Sequence, residues 1–440
     1  MSVLVGRQVE LDLLNEKFAS PNAEMIFICG RRRVGKSALV RAFCKDKRSL
    51  THLAVPCGER RQLEAFGKAF CRAFGQSAFA GALPEEHPSS DPLPFESWED
   101  ALRACAAIAR KSPVVLVIDD FDNIAKARPA FASELQKIWD WELSHGRIKL
   151  ILCTSDAHFL VHNVIGAKCP LFMRAATLIK LEALDFQMAA GLLPSYSTAE
   201  NFLLYAVLGG FPFYYEALRP QWSAQKNLAC SVLASTGLLN QGAESLLASD
   251  FKEPEVAQSI LSAIACGARH FSDIARESGI AGAKLSESLA DLEEAGVVKR
   301  ELCFGSPCFG APQSQVRYRL KDRLLAFWLR FVGAEGLNPV SDSQAQTLWK
   351  ACVEPAFEGY AMDAFVDVCR EYLVRRRFEP GFPVRFSRIE RWWNETDEID
   401  LVAVDARGES ALAGQCWYRE SRLSKTDKSS IRAVLDIYSL

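Results

Sequence analysis

The chain has 440 residues, and at roughly 150 residues per domain about three domains are expected rather than one. With 49% hydrophobic, 24% charged and 10% aromatic residues and a mean hydropathy near zero, the composition rules out disorder, collagen and low-complexity fibre. Lys and Arg total 52 against 54 Asp and Glu, and the formal net charge of -2 gives no whole-molecule attraction to nucleic acid or anionic membrane; any such attraction has to be local.

The 14 cysteines are scattered through apolar segments, such as Cys29 in MIFICG and Cys153 in KLILCTS, with no CxxC pair, and read as buried thiols of a reducing compartment. Cys303 and Cys308 lack a second pair at zinc-site distance. The opening MSVLVGRQVELDLL has no basic stretch followed by an apolar one, and no run approaches the roughly 20 apolar residues of a spanning helix. The expectation is a soluble, cytoplasmic protein with no membrane contact.

The first third alternates strand and helix. Met25 to Gly30 is a short apolar run ending in a glycine-bearing loop, and Lys36 to Lys45 has helical spacing. A strand is expected near Leu50 to Cys57 and a helix near Arg60 to Phe74, followed by a Pro-rich acidic surface loop at Leu83 to Pro94. Ser97 and Asp100 start a helix over Trp98 to Lys111 with capping-box chemistry. Val114 to Asp119 is apolar throughout, as a strand buried on both faces requires. A helix near Ala130 to His145 and strands Ile148 to Ser155 and Thr177 to Leu184 complete a parallel α/β sheet.

At the first strand-to-helix turn Gly30, Arg31, Arg32, Arg33, Val34, Gly35, Lys36 and Ser37 spell GRRRVGKS, the P-loop pattern GxxxxGK[ST]. Its glycines let the backbone curl, so that successive N–H groups and the start of the next helix, through Ala38, point at phosphates. Lys36 is expected at the β and γ phosphates of a nucleotide and the Ser37 hydroxyl on Mg2+. Each of the three arginines has phosphate, a partner subunit or water open to it. The run VVLVIDD supplies the second acidic element: Asp119 for Mg2+, and Asp120 to polarise the attacking water. Thr154 and Ser155, ending KLILCTS, stand at the carboxyl edge as γ-phosphate sensors or, equally, as loop caps.

Together with the opening VGRxxE (Val5, Gly6, Arg7, Glu10), the run VLVIDDFD, the segment PLFMRAATLIKLEAL and the later GGFP, these motifs resemble the archaeal and bacterial P-loop ATPases of the STAND and AAA+ kind over nearly the whole chain. The resemblance implies that Gly6 and Arg7 pack against adenine and that Pro212, in Gly209-Gly210-Phe211-Pro212, contacts the nucleotide from a helical lid. Without the family, GGFP is a helix stop. The family's PLYGR arginine aligns with Arg174, where Met173 replaces the usual glycine, leaving a sensor or finger role and a surface salt bridge both open. Asp120 stands where such ATPases more often place glutamate. One methylene less predicts slow hydrolysis or a water bridge.

Further on, Glu255 to Ala265, Phe271 to Glu277 and Lys284 to Glu294 read as three short helices, followed by the β-like VVKREL and QVRYRL: the order of a winged helix. Its third helix carries Glu287, Asp291, Glu293 and Glu294, which repel phosphate, so a protein-contacting or structural role is favoured over DNA reading. The wing residues Lys299, Arg300, Arg317, Arg319, Lys321 and Arg323 keep a backbone contact open. The segment LLAFWLRF (Leu324 to Phe331) resembles the family's FWxRF junction and is assigned to packing.

Finally, RWWNETDEIDLV (Arg391 to Val402) and LAGQCWY (Leu412 to Tyr418) resemble the D…ExK arrangement of restriction-endonuclease-like domains. Asp400 matches the first acid and Glu358 an extra ligand, but Gln415 and Trp417 replace the second acid and the lysine, so metal-dependent cleavage is expected to be lost. The chain ends at Leu440, soon after the helix expected to follow this strand, so the fold's final strand is expected to be missing. Arg370, Arg375, Arg376, Arg377, Arg385, Arg388 and Arg391, interleaved with aromatics, suit a DNA or RNA backbone, or else form a solvated helix end over an aromatic core. The division expected is a P-loop core at 1–180, a helical lid at 181–249, a winged helix at 250–332 and a degenerate nuclease-like α/β domain at 333–440. The function expected is an ATP-binding, slowly hydrolysing switch with a nucleic-acid, protein or self-association output and bound ATP or ADP. The alternatives are an ATP-dependent DNA nuclease and a nonhydrolysing nucleotide-stabilised adaptor.

Overall fold

Strands β1 (Glu24–Cys29), β2 (Ser49–Leu53), β3 (Val114–Asp119), β4 (Ile148–Thr154) and β5 (Thr177–Lys180) pair in the order β2-β3-β4-β1-β5, every neighbour parallel. The computed structural model describes residues 4–75, 95–174, 177–249, 253–307, 310–333 and 341–418. Two compact units emerge, Met1–Ala183 and Leu184–Leu440. The expected loop at Leu83 to Pro94, Cys308 and the chain after Tyr418 lie outside the described residues.

In the first unit β3 and β4 are buried at every position, which is why their sequences are unbroken apolar runs. The edge strand β2 alternates, with His52 inside and Leu53 outside. It ends at Leu53 rather than Cys57, because Ala54 N–H makes the last bond to Asp119 O (2.9 Å) before Pro56. Likewise β5 stops at Lys180, although Leu181 N–H still reaches Cys29 O at 2.7 Å. The helix expected to His145 breaks after Trp141 into a single turn, Leu143–His145. Two further helices, Gln8–Ala19 and Asp122–Ala127, were not expected; the second is too short to show a period. Helix Trp98–Lys111 starts as expected, with Ser97 Oγ accepting from Asp100 N–H at 3.2 Å. Phe66, Phe70, Phe95 and Trp98 pack edge to face in the core under β2.

The cysteines among the described residues are free thiols, yet only some are buried: Cys29, Cys105 and Cys153 are, whereas Cys266 is exposed. No helix among the described residues is long and apolar enough to cross a membrane.

In the second unit, helices Pro254–Ala265, Phe271–Ser278 and Gly282–Glu294 precede an antiparallel hairpin, β6 (Val298–Leu302) and β7 (Val316–Leu320). The long helix Glu354–Arg376 is followed by an antiparallel sheet of β8 (Phe386–Trp393), β9 (Glu398–Asp405) and β10 (Ala411–Gly414), in the order β10-β9-β8. The hairpin is joined to β8: Phe304 N–H donates to Arg391 O at 2.7 Å, and Cys303 Sγ both accepts from Trp393 N–H and donates to Trp393 O at 3.3 Å.

This packing changes the reading of the basic residues. Arg319 and Arg323, each 16% exposed, converge on Asp367 together with Arg370, at 2.6 to 3.0 Å. Arg317 pairs with Glu398 (2.8 Å) and lies over the Trp393 ring, and Arg391 is buried beside Asp363. Arg375 is bound to Asp185, and Arg376 to Glu379. The arginines from 370 to 391 therefore do not form one solvent-facing strip: Arg375 and Arg391 pair with acids distant in the sequence, Arg370 and Arg376 with acids three positions away, and Arg385 and Arg388 stay exposed.

Candidate nucleotide site

Because β1, β3 and β4 run parallel, their carboxyl ends lie at one edge of the sheet. The register sets Cys29, the residue before the loop, opposite Thr154, and Gly30 N–H donates to Thr154 O at 3.3 Å. A Cβ on Gly30 would lie 2.5 Å from Leu181 O, so only glycine fits the start of the turn. Gly35 has φ 101, as the glycine pattern requires, but the loop's other left-handed residue is Arg33, at φ 71. Sequence reasoning assigned the curl to the glycines; a non-glycine residue there costs about 1 to 2 kcal/mol and persists only where its surroundings impose it.

Lys36 is 7% exposed and its Nζ donates to Gly30 O (2.8 Å) and Arg31 O (3.4 Å), holding the loop's own carbonyls. Burial pushes its ammonium pKa down, against the opposing pull of Asp120 and Asp119. Ser37 Oγ donates to Asp119 Oδ2 at 2.6 Å, so the first helical hydroxyl and the last carboxylate of β3 meet. A hydroxyl and a carboxylate oxygen converging beside a phosphate-shaped loop are a fitting donor set for Mg2+, a hard cation that keeps most of its water and takes one or two protein oxygens.

Asp120 follows at φ 51, its N–H bonded to Asp119 Oδ1 at 3.1 Å. Burial first, then the Asp119 charge, raises its pKa above the ordinary aspartate value, with Lys36 opposing. Thr154 is fully buried and donates to Asp122 Oδ1 at 2.8 Å, while Ser155 beside it is half-buried. Asp122 is itself buried and also meets Lys126 at 3.3 Å; Lys126 bridges on to Asp156 at 2.7 Å. Sequence reasoning missed this second tier. The only signal was the third acid of IDDFD, on a helix too short to recognise.

Arg7, 6% exposed, donates to Glu182 O (2.6 Å) and Val34 O (3.2 Å) and pairs with Glu10. It braces the loop against the chain leaving β5, and Gly6 before it takes φ 70. Arg31 and Arg33 are half-buried; Arg32, Ser37 and Ala38 are exposed. Arg174 makes a two-pronged pair with Asp140, both contacts 2.8 Å, and Met173 keeps the left-handed backbone (φ 58) suited to the glycine it replaces. Pro212 belongs to the second unit, as the first residue of helix Pro212–Glu216. There Gly210 is pressed on Leu184: a Cβ would lie 1.7 Å from Leu184 O.

In the second unit Asp400 is 6% exposed; one oxygen accepts from Cys416 N–H at 2.9 Å, and burial raises its pKa. Glu358 is exposed, whereas Asp363, on the same helix, faces Arg391.

A glycine loop turning from a buried parallel strand into a helix, with a buried lysine and a serine–aspartate pair at the sheet edge, defines a P-loop nucleotide-binding domain. Comparison with known proteins agrees: residues 4–218 match the family described as an ATPase domain predominantly from Archaea, so this part of the chain is a P-loop ATPase domain. Residues 328–431 match a family described as Archaea bacterial proteins of unknown function. An uncharacterized protein of Methanocaldococcus jannaschii is 27% identical over 99% of this chain and 91% of its own length. An uncharacterized ATP-binding protein of the same organism is 39% identical over 10% of this chain and 78% of its own length. The Walker-type ATPase of Pyrococcus abyssi shares the fold, with a TM-score of 0.53 at 18% identity, covering 74% of this chain and 96% of that one.

Proposed function

We propose that the protein is a cytoplasmic Mg-ATP-dependent switch that hydrolyses slowly and passes its nucleotide state to a protein partner through the second unit. The observation that carries this reading is the 2.6 Å meeting of Ser37 with Asp119 beside the buried Lys36. Lys36 exchanges the carbonyls of Gly30 and Arg31 for the β and γ phosphates, and the loop amides take the remaining phosphate oxygens. Ser37 and Asp119 would hold Mg2+, which would supply charge neutralisation for the phosphates. Asp120 orients the attacking water and draws its proton; its raised pKa strengthens it as a base, while its short side chain, one methylene less than glutamate, favours slow turnover. Thr154, whose hydroxyl donates to Asp122 and accepts from Asp156 N–H, serves as the sensor at the carboxyl end of β4 through that network. Arg7 ties the loop to Glu182 and so serves as a positioning residue for the P-loop.

A protein output is favoured over nucleic acid because Glu287, Asp291, Glu293 and Glu294 are exposed on the third helix of the winged-helix segment 250–332. The arginines at 317, 319 and 323 are engaged internally, which points the same way. In the nuclease-like segment 333–440, Asp400 already serves a backbone amide, which argues against the ATP-dependent nuclease reading.

Calorimetry of Mg-ATP with the intact protein and with Lys36→Ala tests the site: binding by the former and none by the latter is expected, and equal affinity overturns the assignment. Single-turnover phosphate release separates a slow switch from a nonhydrolysing adaptor, and digestion of labelled DNA with Mg2+ or Mn2+ tests the nuclease alternative.

A further inference from the structure

Asp363, on helix Glu354–Arg376, and Glu398 and Asp400, on β9, each have one oxygen held by another partner and the other turned inward, toward Arg391. The first are occupied: Asp363 Oδ2 by Arg269 (3.0 Å), Glu398 Oε2 by Arg317 (2.8 Å) and Asp400 Oδ2 by Cys416 N–H (2.9 Å). The three inward oxygens share one cation, the guanidinium of Arg391, whose side chain is 5% exposed. Its Nη1 lies 2.8 Å from Asp363 Oδ1, and its Nε lies 3.9 Å from Asp400 Oδ1 and 4.0 Å from Glu398 Oε1. That Nε–H has no hydrogen-bond acceptor among the described residues, although it is buried and faces two carboxylates.

Carboxylates from a helix and a strand converging on one point are the usual material of a divalent-cation site, whose oxygens must close to about 2.1 Å for magnesium. Here the oxygens are spaced around a planar, delocalised charge that cannot lose its proton. We propose that Arg391 is a built-in replacement for a divalent metal: the three inward carboxylate oxygens form a guanidinium-specific cation site, which the chain fills with its own side chain.

The centre also has a mechanical role. The Arg391 carbonyl receives Phe304 N–H, and Arg317, which grips Glu398, belongs to β7. The Arg391 guanidinium thus ties helix to sheet, and its carbonyl and Arg317 tie in the hairpin, with no need of metal. The inference is independent of the nucleotide reading, since every group in it lies in the second unit.

The test is chemical rescue in the full-length, nucleotide-free protein. Arg391→Ala should lower the thermal midpoint of unfolding. Low-millimolar guanidinium chloride should restore part of the loss, with sodium chloride at equal ionic strength or manganese chloride giving none, and the wild type should gain from none of them. Rescue by manganese that disappears in Arg391→Ala/Asp400→Asn, or no rescue by guanidinium, would overturn the proposal. Should Arg391→Ala fail to fold, Mn2+ titration of the wild type followed by electron paramagnetic resonance decides instead. No manganese site that Asp400→Asn removes is expected, and finding one refutes the replacement.

Discussion

The Ser37 hydroxyl donates to Asp119 Oδ2 at 2.6 Å, joining residues 82 positions apart. The contact holds together two oxygens that Mg2+ would separate and share. Ser37→Ala is therefore expected to weaken Mg-ATP binding about tenfold, roughly 1.4 kcal/mol, with little effect on ATP binding in excess EDTA. Paired calorimetric titrations check it.

Asp120 should be separable from binding. Asp120→Asn is expected to retain Mg-ATP affinity and to lower single-turnover hydrolysis by about 100-fold. The base works deprotonated, and burial together with Asp119 raises its pKa, so the wild-type rate should fall with decreasing pH through a value above the ordinary aspartate range. A rate-against-pH profile reads this limb, which the Asn variant should lack.

The second tier makes a stability prediction. Thr154→Val removes the 2.8 Å donor from the buried Asp122 and should cost about 1 to 3 kcal/mol. In the proposed sensor role Val at this position also removes the sensing hydroxyl, so denaturant melts and phosphate release should fall together. Thr154→Ser, which keeps the hydroxyl, should recover most of both.

Gly210→Ala should damage the second unit, because its Cβ would sit 1.7 Å from Leu184 O, a backbone atom that cannot swing aside. A loss of about 3 kcal/mol or more is expected in thermal melts.

Asp367 predicts behaviour in acid. Burial alone would raise its pKa, but Arg319, Arg323 and Arg370 outweigh it and hold the carboxyl well below the usual range. A depressed carboxylate contributes stability that is fully present above its unfolded pKa, about 3.9, and is lost as pH falls through the folded value. The contribution therefore persists at neutral and mildly acidic pH. Asp367→Asn, which leaves buried arginines uncompensated, should cost about 3 to 5 kcal/mol at pH 7. Acid titrations of both proteins, followed by circular dichroism, should converge at the lowest pH.

Much of the first unit was legible because its signals are local. Helix Trp98–Lys111 and strand β3 match their expected limits, since a capping serine and an unbroken apolar run depend on neighbours in sequence. The loop from Gly30 to Ser37 was legible for the same reason, although the backbone bend at Arg33 was not. The pairing of Thr154 with Asp122 was invisible, because which polar groups face each other depends on strand order.

By itself the sequence determined the strand–loop–helix of the P-loop and the acids that end β3. Only the tertiary structure decided where the charges of the second unit go. A row of arginines reads the same whether it faces water or a buried carboxylate. Desolvated charges persist only when paired, and Arg319 and Arg391 find partners such as Asp367 and Asp363 only when the hairpin, helix and sheet are brought together.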